Sequence, residues 1–483
     1  MRILQYAVRL SVILKYFGQI CLVLAGLALV PLTVSLIFGD YRVSWRYAIV
    51  IAGVVGMGAV LMRLPASKQI QANEAMVITG GIFLFSPLVL TWPVMATGVG
   101  FTDALFETVS AVTTTGLSTI ETLHDKPATF LFARAWMQWI GGLGIVVLCI
   151  AAMLSPGLAA KRLDLSEDYE SDLIGSTRTS ARRTFVVYTL LTLTGIALLM
   201  LAGENGFESI LYALAAVSTG GFAPHDDSLR GLGGFFPQAI VILVSMAGSV
   251  ALVLYTRAYR NGWKTFWRDR QFLSLLAAGG IATALMAAFL RYQDGFAWPS
   301  AWGHGALNAL SAQSTAGFAS LDLAGLGDGA KLTLVFSMVL GGSMGSTAGG
   351  IKIIRLLVLL RLFQLIIQRA AAPPNAVAEA RLGGRKIETE EIQDVLCIVT
   401  AFVGCIALSW LPFVALGHAP LDALFEVVSA LSTAGLSTGI TSADLHPLLK
   451  AVLCVDMLLG RLEILVWLVF FYPPTWMGIR RKS

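Results

Sequence analysis

Charge is what this sequence has least of. Of 483 residues, 13% are Asp, Glu, Lys or Arg and 56% are hydrophobic. A soluble chain carries about 25% charged residues. Half that value along the whole length, with a mean hydropathy of +0.76, excludes a soluble globular protein and implies a polytopic membrane protein. Cysteine is also scarce. Cys21, Cys149, Cys397, Cys405 and Cys454 fall mostly inside apolar runs and show no CxxC spacing, so buried free thiols are expected rather than a metal site or a disulfide framework. No nucleophile–base constellation and no phosphate loop is readable. The "GGLG" at Gly141–Gly144 follows no strand and sits in an apolar span, where helix packing accounts for it. The net charge of +5 is no nucleic-acid signal, because the basic residues cluster between apolar spans where topology places them.

What is present is apolar length. A spanning helix needs about 20 apolar residues. Candidates lie at 17–38, 46–63, 74–96, 128–155, 182–202, 235–258, 271–292, 332–367, 392–417 and 448–471. One set of connections holds Arg63 and Lys68; Lys161, Arg162, Arg178, Arg182 and Arg183; Arg257, Arg260, Lys264, Arg268 and Arg270; Arg369, Arg381, Arg385 and Lys386. N-terminal Arg2, Arg9 and Lys15 and C-terminal Arg480, Arg481 and Lys482 join that side, which predicts cytoplasmic termini. The N-terminus shows basic residues before an apolar run but no small-residue cleavage site, and reads as a retained segment. The alternate connections hold acids, among them Asp103, Glu107, Glu208, Asp422 and Glu426. Acids at an outer mouth would raise local cation concentration, beyond ordinary solvated loop charge. His124, His225, His304, His418 and His446 fall on the same outer side, as polar-interface residues or as pH-tuning groups.

Four outer connections share a pattern: "FTDALFETVSAVTTTGL", "GFESILYALAAVSTGGF", "WGHGALNALSAQSTAGF" and "PLDALFEVVSALSTAGL". Each is a run of about ten residues ending in [ST]-T-x-G-[LF], and as a helix of about 15 Å it enters the hydrocarbon core without crossing it. Non-helical backbone at that depth is tolerated only when buried in protein or lining a water-filled cavity. The expected fold is therefore an all-α polytopic membrane protein with four pseudo-symmetric span–pore-helix–loop–span repeats around one pore. Their bounds are 69–165, 166–262, 263–370 and 371–483, after an N-terminal pair of spans at 1–68.

The aligned positions are Thr113, Thr114, Thr115, Gly116; Ser218, Thr219, Gly220, Gly221; Ser314, Thr315, Ala316, Gly317; and Ser432, Thr433, Ala434, Gly435. A dehydrated cation needs oxygens in place of its water, and rings of backbone carbonyls supply them. Glycine allows the φ/ψ that turns successive carbonyls one way. The negative helix C-termini favour the same charge. One copy alone would be a helix C-cap and turn; four at matched positions argue for a shared task.

Two further features stand out. Leu332 to Ile367 is too long for one span, roughly 36 residues or about 54 Å. Its middle, Gly341–Gly350, reads "GGSMGSTAGG". Close helix packing would need only two small residues; this density, with Gly341, Gly342, Ser343, Gly345, Ser346, Thr347, Gly349 and Gly350, predicts a flexible loop. Arg461 lies deep in the last span, where a charge costs at least about 2.5–3.5 kcal/mol without water or a partner. Pairing with Glu463 or Asp456, or capping of loop carbonyls, would satisfy it.

These motifs, with "WIGGLGIVVL" at Trp139–Leu148, "STGGFAPHD" at the second repeat and "LLGRLEILVWLVFF" at Leu458–Phe471, resemble the Trk branch of the Trk/Ktr/HKT superfamily of potassium transporters over nearly the whole chain. The resemblance implies a bacterial inner-membrane potassium-uptake subunit, not an enzyme. Its selectivity filter would lie at the aligned residues, with potassium as the bound ion and no organic cofactor. The glycine-rich loop would obstruct the pore, with Arg461 as part of the barrier. Glycine rather than serine at Gly116 implies potassium preference; a sodium-permeable or proton-coupled transporter is the alternative. The implied partners are a second copy in a homodimer, a cytosolic nucleotide-binding ring of TrkA type and membrane lipid, with no nucleic acid. A polytopic enzyme would instead need His/Asp/Glu clusters at one membrane face, and a receptor or scaffold would not transport at all.

Overall fold

The computed structural model describes residues 7–67, 70–153, 176–371, 373, 381–382 and 385–477. Lys68, Lys161, Arg162, Arg2, Arg480, Arg481 and Lys482, invoked for topology, lie outside them, as does the side chain of Arg178. The chain is helical almost throughout. It runs α1 (Leu10–Ile37), α2 (Tyr41–Met62), α3 (Ala72–Val94), α4 (Phe101–Val112), α5 (Ala128–Met153), α6 (Ser176–Leu201), α7 (Gly206–Val217), α8 (Phe235–Ser249), α9 (Leu252–Asn261), α10 (Arg270–Tyr292), α11 (Trp298–Gln313), α12 (Asp328–Val339) and α13 (Ile353–Ala371). A two-residue hairpin follows, β1 (Arg381–Leu382) and β2 (Arg385–Lys386). The chain then continues as α14 (Thr389–Ala415), α15 (Pro420–Leu431), α16 (Pro447–Arg461), α17 (Glu463–Phe471) and α18 (Pro473–Met477).

Six helices among the described residues are long and apolar enough to cross a membrane, seven if α8 and α9 count as one bent span. The protein is a multi-pass helical membrane protein. The ten apolar stretches and these helices differ for a physical reason. Two stretches read as continuous, 235–258 and 448–471, are interrupted, and 332–367 breaks where its glycine-rich middle predicts. The stretch 235–258 breaks after Ser249, and the two halves stand at 85°. The stretch 448–471 breaks at Leu462, followed by Glu463 at φ +57°. Neither Val250 nor Leu462 is a helix breaker; tertiary hydrogen bonds, described below, hold both breaks.

Lipid is as apolar as a leucine side chain, so burying apolar area does not drive helices together in a bilayer. Close backbone approach and polar contacts do. α1 and α2 cross at Gly18 and Gly58, where a Cβ on Gly58 would lie 2.9 Å from the Gly18 carbonyl oxygen. Arg9 pairs with Glu74 at 2.8 Å, tying the start of α1 to the first turn of α3. The Trp136 indole donates to the Leu27 carbonyl at 3.0 Å, and Thr129 donates to Asp40, so α5 holds the α1–α2 hairpin. The cysteines of the described residues are free thiols.

Candidate ion-binding site

Four short helices, α4, α7, α11 and α15, end in the same way. Each closes with a Schellman motif. The N–H of Thr114, Thr219, Thr315 and Thr433 donates to the carbonyl three residues back, at 2.9–3.0 Å. The N–H of Thr115, Gly220, Ala316 and Ala434 donates to the carbonyl five back, at 2.8–2.9 Å. The left-handed residue of that motif is usually glycine. Here it is threonine four times, at φ 52°, 52°, 52° and 49°. A left-handed β-branched residue costs about 1–2 kcal/mol, and such strain persists where the surroundings over-determine it.

Two residues further on, the chains meet. Gly116, Gly221, Gly317 and Gly435 have φ of 92°, 82°, 75° and 79°. A Cβ on Gly116 would lie 2.2 Å from the Gly220 carbonyl oxygen, on Gly221 2.2 Å from that of Ala316, on Gly317 2.1 Å from that of Ala434, and on Gly435 2.0 Å from that of Thr115. The contacts run from each segment to the next and return to the first: a closed ring of four. All sixteen aligned residues are in it or immediately beneath it. The hydroxyls of Thr114 and Thr433 are buried there without a hydrogen-bond partner among the described residues. The C-cap and the ring are therefore not alternatives; the cap geometry builds the ring.

Glycines on the helices behind let this packing close. A Cβ on Gly141 would lie 2.1 Å from the Val112 carbonyl oxygen, on Gly248 2.4 Å from that of Val217, and on Gly460 1.8 Å from that of Leu431. Gly142 likewise packs against Tyr188 and Ser218, so the first two glycines of "GGLG" serve packing, while Gly144 has no close neighbour.

A brace that sequence reasoning did not single out recurs behind each segment, at Glu107, Tyr212, Asn308 and Glu426. Glu107 accepts from the Ser118 hydroxyl and the Thr119 N–H at 3.1 Å. Tyr212 donates to the Ser228 carbonyl at 2.8 Å. Asn308 accepts from the Ser320 N–H at 3.1 Å. Glu426 accepts from the Ser437 hydroxyl and the Thr438 N–H, both at 2.7 Å, and from Thr441. Each brace reaches the chain that follows its ring segment, at Ser118–Thr119, Ser228, Ser320 and Ser437–Thr438. Asp103, Glu107, Glu208, Asp422 and Glu426, read as mouth charge, are thus each engaged by a partner, whereas Glu121, Asp125 and Asp322 are exposed. Glu107 and Glu426 are fully buried, and Glu107 lies 3.0 Å from the Arg134 guanidinium. Asp103 pairs with Lys450 at 2.6 Å and Asp422 with Lys331 at 2.8 Å, joining α4 to α16 and α15 to α12. Glu208 faces His225 at 3.2 Å. The identity column was hidden because the four braces are Glu, Tyr, Asn and Glu; only their shared position gives them away.

Removing one partner of a buried ion pair costs about 3–5 kcal/mol. Glu107→Ala is therefore expected to lower the thermal unfolding temperature of the purified protein in detergent markedly, with Arg134 left uncompensated. Glu107→Gln keeps an acceptor for Ser118 and Thr119 and should lose less. Equal, small losses in both would contradict the brace.

The glycine-rich segment lies directly against the ring. It is non-helical, and all its residues but Gly350 are buried. A Cβ on Gly349 would lie 2.2 Å from the Ser432 carbonyl oxygen, and on Gly341 1.8 Å from that of Gly349. The Gly349 N–H donates to the Thr315 hydroxyl at 2.8 Å. Thr347 donates to the Val217 or the Gly248 carbonyl, each at 3.0 Å, and lies 3.4 Å from the Thr219 hydroxyl. The Ser343 N–H donates to Ser249 O at 2.9 Å and the Thr347 N–H to Gly248 O at 3.2 Å, which is what holds α8 broken. The expected flexible loop is thus a loop, but a tightly bonded one, with glycines used for close approach. Gly342, Gly345 and Ser346 complete it; Ser346 donates to the Ser343 carbonyl at 2.6 Å.

Arg461 reaches the same segment. It donates to the Thr347 carbonyl at 2.6 Å and to the Gly141 carbonyl at 3.0 Å. Glu463 is taken by Arg355 at 2.6 Å, which holds the α16–α17 break, and Asp456 accepts from Ser409 at 2.7 Å. Of the ways to satisfy a deep arginine, the geometry displays carbonyl capping.

A family model described as TrkH, cation transport protein, matches residues 48–290 and 294–475. The chain belongs to the TrkH family of cation transport proteins. Within that family it is 30% identical over 97% of its length, and 99% of the relative's, to the Trk system potassium uptake protein TrkH of Halomonas elongata. It is 26% identical to the protein of the same name from Escherichia coli, over 96% of this chain and 99% of that one. The fold matches the crystal structure of the potassium transporter TrkH from Vibrio parahaemolyticus with a TM-score of 0.86, at 24% identity, covering 97% and 100% of the two chains. A TrkH-family protein is a transporter and not an enzyme.

Proposed function

We propose that this chain is the ion-conducting subunit of a potassium-uptake system in a bacterial inner membrane. The closed ring carries this reading: four left-handed threonines and four glycines bring the carbonyls of Thr115, Gly220, Ala316 and Ala434 around one axis. Carbonyl rings replace the hydration shell of a potassium ion, which is the transported substrate. The orphaned buried hydroxyls of Thr114 and Thr433 fit a site that holds a cation or its water. The four residue blocks 69–165, 166–262, 263–370 and 371–483 each contribute one quarter of the filter, with 1–68 outside it. Gly341–Gly350 and Arg461 form the gate beneath it. The chain works as a homodimer with cytoplasmic termini, and a cytosolic nucleotide-binding partner of TrkA type regulates it; the relatives' naming as parts of a Trk system supports a regulatory partner.

Expression in a potassium-uptake-deficient strain should restore growth on low potassium. No rescue despite normal membrane levels would refute potassium uptake. Influx of potassium and sodium, measured separately in proteoliposomes with and without a proton gradient, distinguishes the sodium-permeable and proton-coupled alternatives.

A further inference from the structure

The segment between α8 and α10 has no part in the ring. α9 leaves α8 at 85° and buries Leu252, Leu254 and Ala258. Residues 259–264 are exposed without interruption. Tyr259, Trp263 and Trp267 are 92%, 74% and 66% exposed, interleaved with Arg260, Lys264 and Arg268. Among the described residues none of these three cations has a carboxylate partner. The exposed rings are backed by aromatic contacts: Trp263 stacks on buried Phe266 at 5.9 Å, and Trp267 meets Phe272 edge-on at 5.9 Å. Large aromatics at that exposure do not suit water. Rings with an apolar body and a polar edge, alternating with Lys and Arg, suit the headgroup layer of a leaflet bearing anionic lipid.

Both ends of this segment hold the glycine-rich loop. The Leu252 N–H donates to the Gly345 carbonyl at 3.2 Å, and the Gln271 side chain accepts from the Met344 N–H at 3.0 Å. We propose that residues 259–268 bind anionic phospholipid headgroups at the cytoplasmic face, and that occupancy holds the loop in its present, obstructing arrangement through Leu252 and Gln271. The coupling rests on the gate reading above; the binding site does not. The three cations match phosphate charge, and the exposed rings match the acyl boundary beneath it. Free phosphate would satisfy the cations alone.

The test uses the purified full chain and the variant Arg260→Gln/Lys264→Gln/Arg268→Gln. In uncharged detergent, phosphatidylglycerol should raise the unfolding temperature of the native chain, while phosphatidylcholine and inorganic phosphate should not. Each cation near an anionic surface contributes about fivefold in affinity, so the triple variant should need about a hundredfold more phosphatidylglycerol. No shift in the native chain, an equal shift in the variant, or an equal shift with inorganic phosphate would overturn the site. That includes the case in which the variant instead loses binding of a cytosolic protein. In phosphatidylcholine vesicles, adding phosphatidylglycerol should lower basal rubidium influx several-fold for the native chain and leave the variant unchanged. A cation-dependent thermal shift with lipid-independent influx overturns the coupling alone. Arg461→Ala separates the gate reading: if its influx is normal while the thermal shift persists, the gate fails and the lipid site stands.

Discussion

Arg461→Ala should raise partner-free potassium or rubidium influx in proteoliposomes by about one to two orders of magnitude. The guanidinium donates to Thr347 O at 2.6 Å and Gly141 O at 3.0 Å, pinning the loop to α5. A hydrogen bond to a charged group contributes about 1.5–3 kcal/mol. Losing two such bonds removes about 3 kcal/mol from the obstructed arrangement, and about 1.4 kcal/mol is tenfold in an equilibrium. The fixed positive charge beneath a cation ring disappears at the same time, which acts in the same direction. Thr347 still bonds through its hydroxyl to Val217 or Gly248, so the loop is loosened rather than lost. Arg461→Lys keeps the charge but not the planar fork, and should fall between the two. Unchanged influx at normal membrane levels would remove Arg461 and the loop from the gate.

Gly116→Ser should abolish rescue on low potassium and reduce the potassium-over-sodium influx ratio at least about tenfold, as a displaced ring carbonyl loses more than about 1.4 kcal/mol of preference. Two penalties fall on one position. The backbone there is at φ +92°, and a Cβ would sit 2.2 Å from the Gly220 carbonyl oxygen. The second displaces a ring carbonyl, so it changes the ion's surroundings rather than only the stability of the chain. Gly439→Ala separates the two. Its φ is +93°, but the nearest heavy atom to its Cβ would be Ala324 Cβ at 4.0 Å. It should cost about 1 kcal/mol in stability and leave ion preference intact. If both variants alter the influx ratio equally, general destabilisation explains the result and the ring does not.

The helical, polytopic fold was legible because spans announce themselves by apolar length. The four aligned loops were legible because [ST]-T-x-G repeats in nearly the same letters. Other elements were not. Threonine gives no local sign of a left-handed backbone, yet Thr114, Thr219, Thr315 and Thr433 all adopt one. Val250 and Leu462 are themselves neither glycine nor proline, and the glycines two residues before them, Gly248 and Gly460, serve close packing against Val217 and Leu431. The breaks exist because Ser249 O is claimed by Ser343 and Glu463 by Arg355, partners roughly a hundred residues away. The acids at the outer ends were read as mouth charge because sequence shows their side and not their depth. Glu107 and Glu426 lie in the wall behind the ring.

The ring is made by one continuous chain. In an assembly of four identical subunits, any codon change is imposed on every wall of the pore at once. Here each wall has its own codons, so a change at Gly221 alters one side and leaves three as they were. That freedom has been used unevenly. The glycine-rich insertion interrupts one quarter, the deep arginine belongs to another, and Gln138, which bonds the Gly220 carbonyl and the Phe222 N–H, belongs to a third. A ring with specialised quarters can be altered gradually, one substitution at a time, where a symmetric one would have to change everywhere together.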